Sequence, residues 1–182
     1  MQTMFDALME QLKVPLRGDR GIKTDNSILL IYEPPKELEF RDYLLDKFIP
    51  VLEAGGIPFR AVDLSGLLLS ALSEDELEGL QEDEFGDYRW MQQGLSQRAE
   101  AALHACLQKA ASEVPGGTVL VYGTMALYPL VRFGEILKDF RDLEVRIALA
   151  FPGQDRGGKL HFMNQPDGGN YLAVKLNCQS QS

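Results

Sequence analysis

The sequence predicts an α/β fold, a largely parallel sheet with helices on both faces that finishes in a C-terminal antiparallel hairpin. Three observations predict it. Four short apolar runs, SILLIY (27–32), IPFRAVDL (57–64), TVLVY (118–122) and EVRIALAF (144–151), have the length and β-former content of buried strands. Segments of helical period separate them, and such alternation is the pattern of parallel strands joined by crossover helices. The 182 residues are 45% hydrophobic and 25% charged, which suits one domain, residues 1–182, with a continuous core. This is a P-loop-NTPase-like or Rossmann-like frame, and it lacks a functional phosphate loop for reasons given below.

The elements follow in chain order. Residues 1–13 place Met1, Met4, Phe5, Leu8, Met9 and Leu12 on one face of an amphipathic N-terminal helix. That stripe is core or a partner surface. Residues 14–26 hold Pro15, Gly18 and Gly21 and read as a loop. After the first strand, Phe40, Leu44, Phe48 and Leu52 recur every four residues, Pro50 should bend the last turn, and Gly55-Gly56 stops the helix. Ser65 follows the second strand and can cap the short apolar helix of Leu67, Leu68, Leu69, Ala71 and Leu72. Helical period returns from Leu95 and ends before Pro115-Gly116-Gly117. Leu127, Leu130, Val131, Ile136, Leu137 and Phe140 describe the helix before the fourth strand. Last, KLHFM and YLAVKL flank NQPDGGN, whose Asn, Pro, Asp and Gly suit the turn of a hairpin.

Charge narrows the function. Net charge is −9, and residues 73–87 carry eight acids and no base, so the rest of the chain stands at −1. A protein that neutralises phosphates by itself carries the opposite sign, which argues against autonomous nucleic-acid binding. Arg17, Arg20 and Lys23 form a local basic patch that could favour DNA contact. The acidic connecting segment, 73–94, reads as a solvated link or as a docking strip for a basic partner. No apolar run reaches the ~18 residues of a membrane span, and Asp6 and Glu10 stand where a signal peptide carries basic residues. A cytoplasmic protein that does not bind membranes is expected. Cys106 and Cys178 lack the spacing of a metal site and read as reduced thiols.

Catalytic templates fail one by one. Gly153 to Lys159 matches a P-loop through its lysine, but Leu160 replaces the hydroxyl that would hold Mg²⁺, and a strand and turn follow where a helix is needed. The glycines there fit a turn that needs positive φ. His104 and His161 are the only histidines, on a helix and a strand, and read as structural. No catalytic constellation, metal set or cofactor motif assembles, so a non-enzyme is expected.

Tyr32-Glu33-Pro34-Pro35 followed by Glu39 and Arg41, then Gly123, Tyr128-Pro129-Leu130-Val131-Arg132, Phe151-Pro152-Gly153 and Asn170-Tyr171 stand in an order and spacing over residues 27–176 that resembles the BrxB family of the BREX bacteriophage-defence systems. After Phe-Pro-Gly, Gln154-Asp155-Arg156-Gly157 replaces a Tyr-containing turn of that pattern. The resemblance implies a non-catalytic interaction or adaptor subunit that binds the alkaline-phosphatase-like protein PglZ or another BREX subunit, with no cofactor of its own. Tyr128, Arg132, Asn170 and Tyr171 are the candidate partner-binding residues. Tyr128 and Arg132 read as an i, i+4 pair at a helix start beyond a strand's carboxyl end, where open α/β sheets bind ligands, or as a structural pair in which Arg132 stacks on Tyr128 or meets a carboxylate. The other class of function left open is a degenerate nucleotide-binding or hydrolytic enzyme of α/β architecture.

Overall fold

A computed structural model describes residues 1–16, 26–82, 88–140, 143–163, 165–166 and 172–178. Helix α1 (Gln2–Lys13) leads to strand β1 (Ser27–Tyr32). After a 3₁₀ turn, α2 (Glu37–Tyr43), a π-helical turn (Leu44–Phe48) and α3 (Ile49–Ala54) run on to β2 (Phe59–Asp63). Helices α4 (Leu67–Ser70), α5 (Glu74–Glu82) and α6 (Tyr88–Glu113) precede β3 (Thr118–Tyr122). A 3₁₀ turn (Thr124–Leu127) and α7 (Phe133–Lys138) lead to β4 (Arg146–Arg156), β5 (Lys159–Phe162), β6 (Gln165–Pro166) and β7 (Val174–Asn177).

The α/β class is as the sequence predicts. Five strands lie in the order β2-β3-β4-β1-β7, and every neighbouring pair is parallel. Successive strand side chains point to opposite faces, so the apolar runs feed two separate cores. Leu29, Ile31, Val119, Val121, Ile147 and Leu149 meet α6 through Leu103, Leu107 and Ala110, and α7 through Phe133 and Leu137. Ile28, Leu30, Tyr32, Leu120, Ala148 and Ala150 meet α1 through Phe5 and Leu8, and α2–α3 through Phe40, Phe48 and Leu52. The chain passes from β1 to the distant edge strand β2 over the second face, then returns through β3 to β4 over the first. Reversing direction together with a change of face keeps all the crossovers of one hand.

The N-terminal stripe belongs to the core. Met4, Phe5 and Leu8 are buried, and the Phe5 ring lies 4.9 Å from both Tyr43 and Phe48. Arg146 fastens the end of α1 to β4 by donating to Val14 O at 2.7 Å, beside the helix's last carbonyls, where a cation is favoured.

Six expectations change. Ser65 does not cap α4, whose N-cap is Gly66 with no side-chain cap bond, because the Ser65 hydroxyl donates to Asp63 instead. Pro50 does not merely bend a helix, because the π turn at Leu44–Phe48 precedes it and widens the spiral where its missing N–H and ring would disrupt a regular one. Part of the acidic segment is helix α5, started by a capping box in which Ser73 Oγ accepts from Glu76 N–H at 3.2 Å and Glu76 accepts from Ser73 N–H at 2.9 Å. Those bonds from Ser73, and then the Arg98 guanidinium, hold Glu76 below the usual carboxylate range. Helix α6 begins at Tyr88 rather than Leu95. The helix expected across 127–140 is broken: Tyr128 is extended, the Tyr128-Pro129 peptide is cis, and α7 starts only at Phe133. The steric bar that proline sets against helical backbone in the preceding residue accounts for the break.

The last change concerns the C-terminal hairpin. It exists, but β4 and β5 form it around Gly157-Gly158, both at positive φ, while β7 pairs in parallel with β1. Strand β4 therefore runs on to Arg156 rather than ending at Phe151. Asp155, near the hairpin's turn, meets Lys175 of β7 at 2.9 Å, and Lys175 stands level with Leu29 in mid-sheet. The hairpin therefore folds back over the first face, where Leu160 and Phe162 are buried against the same core as Leu29 and Ile31. No helix among the described residues is long and apolar enough to cross a membrane.

Candidate functional site at the carboxyl end of the sheet

The strands' carboxyl ends gather most of the residues singled out in the sequence. Tyr32 closes β1 beside Pro152 of β4. Its hydroxyl donates to Glu37 at 2.5 Å, and burial, reinforced by that carboxylate, pushes the phenol well above its ordinary range. Gly123 ends β3 in a left-handed conformation, and Thr124 just beyond it donates to Ala150 O at 2.9 Å. Arg41 reaches from α2 to Asp63 at 3.5 Å and lies 6.0 Å from the centre of the Tyr122 ring. Asp63 in turn accepts from Ser65 N–H at 2.9 Å and from its hydroxyl at 2.6 Å. Arg41 is thus matched by a carboxylate and an aromatic face.

Arg132 is different. It is exposed, its guanidinium has no hydrogen bond or ion pair among the described residues, and the Tyr128 ring packs on Phe162 at 5.8 Å instead of beneath that group. Neither structural reading of the Tyr128–Arg132 pair is therefore met among the described residues. The i, i+4 relation fails as well, since Tyr128 is extended and Arg132 is the residue before α7. Both residues nonetheless line one cleft of about 280 Å³, together with Pro129, Val131, Phe162, Gln165 and Pro166. Asn170, Tyr171, Arg17, Arg20 and Lys23 lie outside the described residues.

Phe162 was not legible as a site residue, because a buried aromatic in an alternating strand reads as core. It does both jobs, touching Phe133 and Phe151 at 5.5 and 5.2 Å and flooring the cleft. Asp63 and Ser65 carried a signal that could have found them, an Asp-x-Ser turn directly after a strand.

The remaining chemistry-bearing residues are dispersed. Lys159 opens strand β5, so the segment that mimics a P-loop is a β-hairpin and no helix N-terminus follows its lysine. His104 sits 3.8 Å from Asp139 beside Phe140, and His161 Nδ1 contacts Lys159 O. Both cysteines are free thiols, and no group of three His, Cys, Asp or Glu among the described residues could hold a metal. No protein-family model matches this chain, and no curated protein matches it.

The ion pair that holds the hairpin against β7 makes a pH-dependent contribution. The hydrogen bond from Lys175, with help from Gly158 N–H, keeps Asp155 below the usual carboxylate range. A carboxylate depressed in the folded state stabilises above its unfolded pKa of ~3.9 and loses that contribution as pH falls through the folded value. Lys175→Gln is expected to lower stability by about 0.5–1 kcal/mol at neutral pH. Urea denaturation across a pH series checks it, since the gap between variant and wild type should close in acid; a gap independent of pH would assign the loss to packing.

Proposed function

We propose that this protein is a non-catalytic interaction subunit of a bacterial BREX phage-defence system, cytoplasmic, and a partner of a PglZ-like protein. One observation carries the reading. Motif residues from four separate segments, at Tyr32-Glu33, Gly123, Tyr128 to Arg132 and Phe151 to Gly153, come together at the carboxyl ends of neighbouring strands. Open α/β sheets bind their ligands at that end. There the surface offers an arginine with no ion pair among the described residues and a half-exposed tyrosine, two of the residue types that concentrate binding energy in protein interfaces. The dispersal of the histidines and the hairpin at Lys159 favour binding over group transfer.

Affinity purification of the tagged protein from its native host, read by mass spectrometry, tests the proposal. A PglZ-like protein should be retained. Tyr128→Ala and Arg132→Ala should each weaken capture about tenfold while melting as the wild type does. A melt lowered by several degrees, as a loss of over ~1 kcal/mol gives in a domain of this size, would make the pair structural. A wild-type protein that retains no BREX subunit would refute the proposal.

A further inference from the structure

The cleft between the cis-proline loop and the hairpin has a chemistry that identifies what fits it. Its volume of about 280 Å³ lies at the bottom of the range for small-molecule sites, which suits one or two side chains better than a cofactor. Its lining is mixed, with the apolar surfaces of Pro129, Val131, Phe162 and Pro166 beside the polar groups of Tyr128, Arg132 and Gln165. Pro129 and Pro166 are exposed, while Val131 and Phe162 are buried behind them. Proline rings and an aromatic floor give flat surfaces that lose little conformational freedom when covered.

Arg132 is the only charged residue among the described residues that line the cleft, and its guanidinium has no partner among the described residues. The contrast with the other arginines is informative. Of those whose side chains are described, Arg41, Arg60 and Arg98 each have a carboxylate within 4 Å, Arg146 donates to Val14 O and Arg156 to Gln154, whereas Arg132 has neither kind of partner, a lack it shares only with the lysines Lys47, Lys109 and Lys159. A guanidinium left without a carboxylate, beside the proline and aromatic surfaces of the cleft, is complementary to one supplied from outside. The Tyr128 hydroxyl, also without a hydrogen-bond partner among the described residues, stands on the same cleft and can donate to the same group.

We infer that this cleft docks an extended peptide segment of a partner protein, with an Asp or Glu side chain on Arg132 and Tyr128 and an adjacent apolar or proline residue on Pro129, Phe162 and Pro166. The inference rests on the proposed interaction role and specifies the kind of segment that the partner contributes.

Panning a phage-displayed library of short random peptides on the folded full-length protein, followed by fluorescence anisotropy on a synthetic peptide of the selected consensus, tests this. The consensus should hold an acid next to an apolar residue or proline. Arg132→Gln should weaken that peptide about tenfold, as loss of a charge-assisted contact does. Amidation of the peptide's acid should cost as much, and the two changes together little more than either alone. Thermal melts of the Arg132→Gln protein should match the wild type. A library that yields no binder, a consensus without an acid, or a peptide indifferent to Arg132→Gln overturns the inference. Its failure is separable from that of the functional proposal. A PglZ-like protein captured with no acidic consensus sinks only the docking mode, whereas an acidic peptide bound with no BREX subunit captured sinks only the BREX assignment.

Discussion

Replacing Phe5 with alanine should lower the melting temperature by roughly 10 °C, because a buried Phe truncated to Ala costs about 3–5 kcal/mol and each kcal/mol shifts a domain of this size by ~2–4 °C. Phe5 is 1% exposed, and its ring lies within 5.4 Å of the ring centres of Phe40, Tyr43 and Phe48. Phe40 in turn stacks on Tyr32 at 4.2 Å, which carries the cluster from α1 through α2 to the central strand. Removing the Phe5 ring therefore opens a cavity against three aromatic neighbours that backbone on both sides holds in place, and such a site collapses poorly. Thermal and urea denaturation check the prediction. Were α1 a partner's docking helix only loosely applied to the sheet, the melt would barely move and only partner capture would fall.

How legible this arrangement was depends on what the pattern encodes. The spacing of Met4, Phe5 and Leu8 established a buried face but not what buries it, since a partner groove and a protein's own sheet demand the same stripe. Strands β1 and β3 were readable to the residue, because strands covered on both faces are apolar throughout and end where the chain turns polar or reaches glycine. The broken helix after β3 was not. Leu127, Val131, Ile136 and Leu137 all reach the same core, so their spacing imitates helical period although an extended turn at Tyr128 intervenes. Helix α5 was overshadowed by its own charge, although Ser73 and Glu76 spell the capping box that starts it.

The candidate site was legible in part, for a related reason. Tyr128 and Arg132 stood out as residue types and do share a cleft, but the geometry that joins them is a cis-proline loop and not a helix. The opposite wall could not be foreseen, because it depends on which strand β5 pairs with. YLAVKL and KLHFM suit each other in sequence, yet β1 offers an open parallel edge that takes Val174–Asn177, and Gly157-Gly158 lets β4 continue directly into β5. Competition between partners for a strand is settled by tertiary packing and leaves no mark in a single run of residues.

That same hairpin supplies the other large expected effect. Gly153 sits where β4 leaves the parallel sheet and begins to pair with β5, opposite Phe162. A Cβ at this position would lie 2.1 Å from His161 O and 2.9 Å from the Phe151 ring. Neither neighbour can yield cheaply, since the carbonyl belongs to the hairpin ladder and the Phe151 side chain is fully buried. Gly153→Ala must therefore push the two strands apart and lift Phe162 from the core, a loss of about 2–4 kcal/mol and a melt lower by roughly 5–15 °C. The cleft loses its floor in the same step, so binding at Tyr128 and Arg132 should fall with it. Gly157 provides the control within the same hairpin. Its φ is +61°, but nothing lies within 4 Å of a Cβ there, and asparagine tolerates the left-handed region, so Gly157→Asn should cost under about 1 kcal/mol. Melting curves of the two variants, with amide NMR spectra of the hairpin, decide the matter. A Gly153→Ala protein that melts with the wild type and keeps its β4–β5 amide shifts would mean that the strands do not approach as closely as 2.1 Å implies.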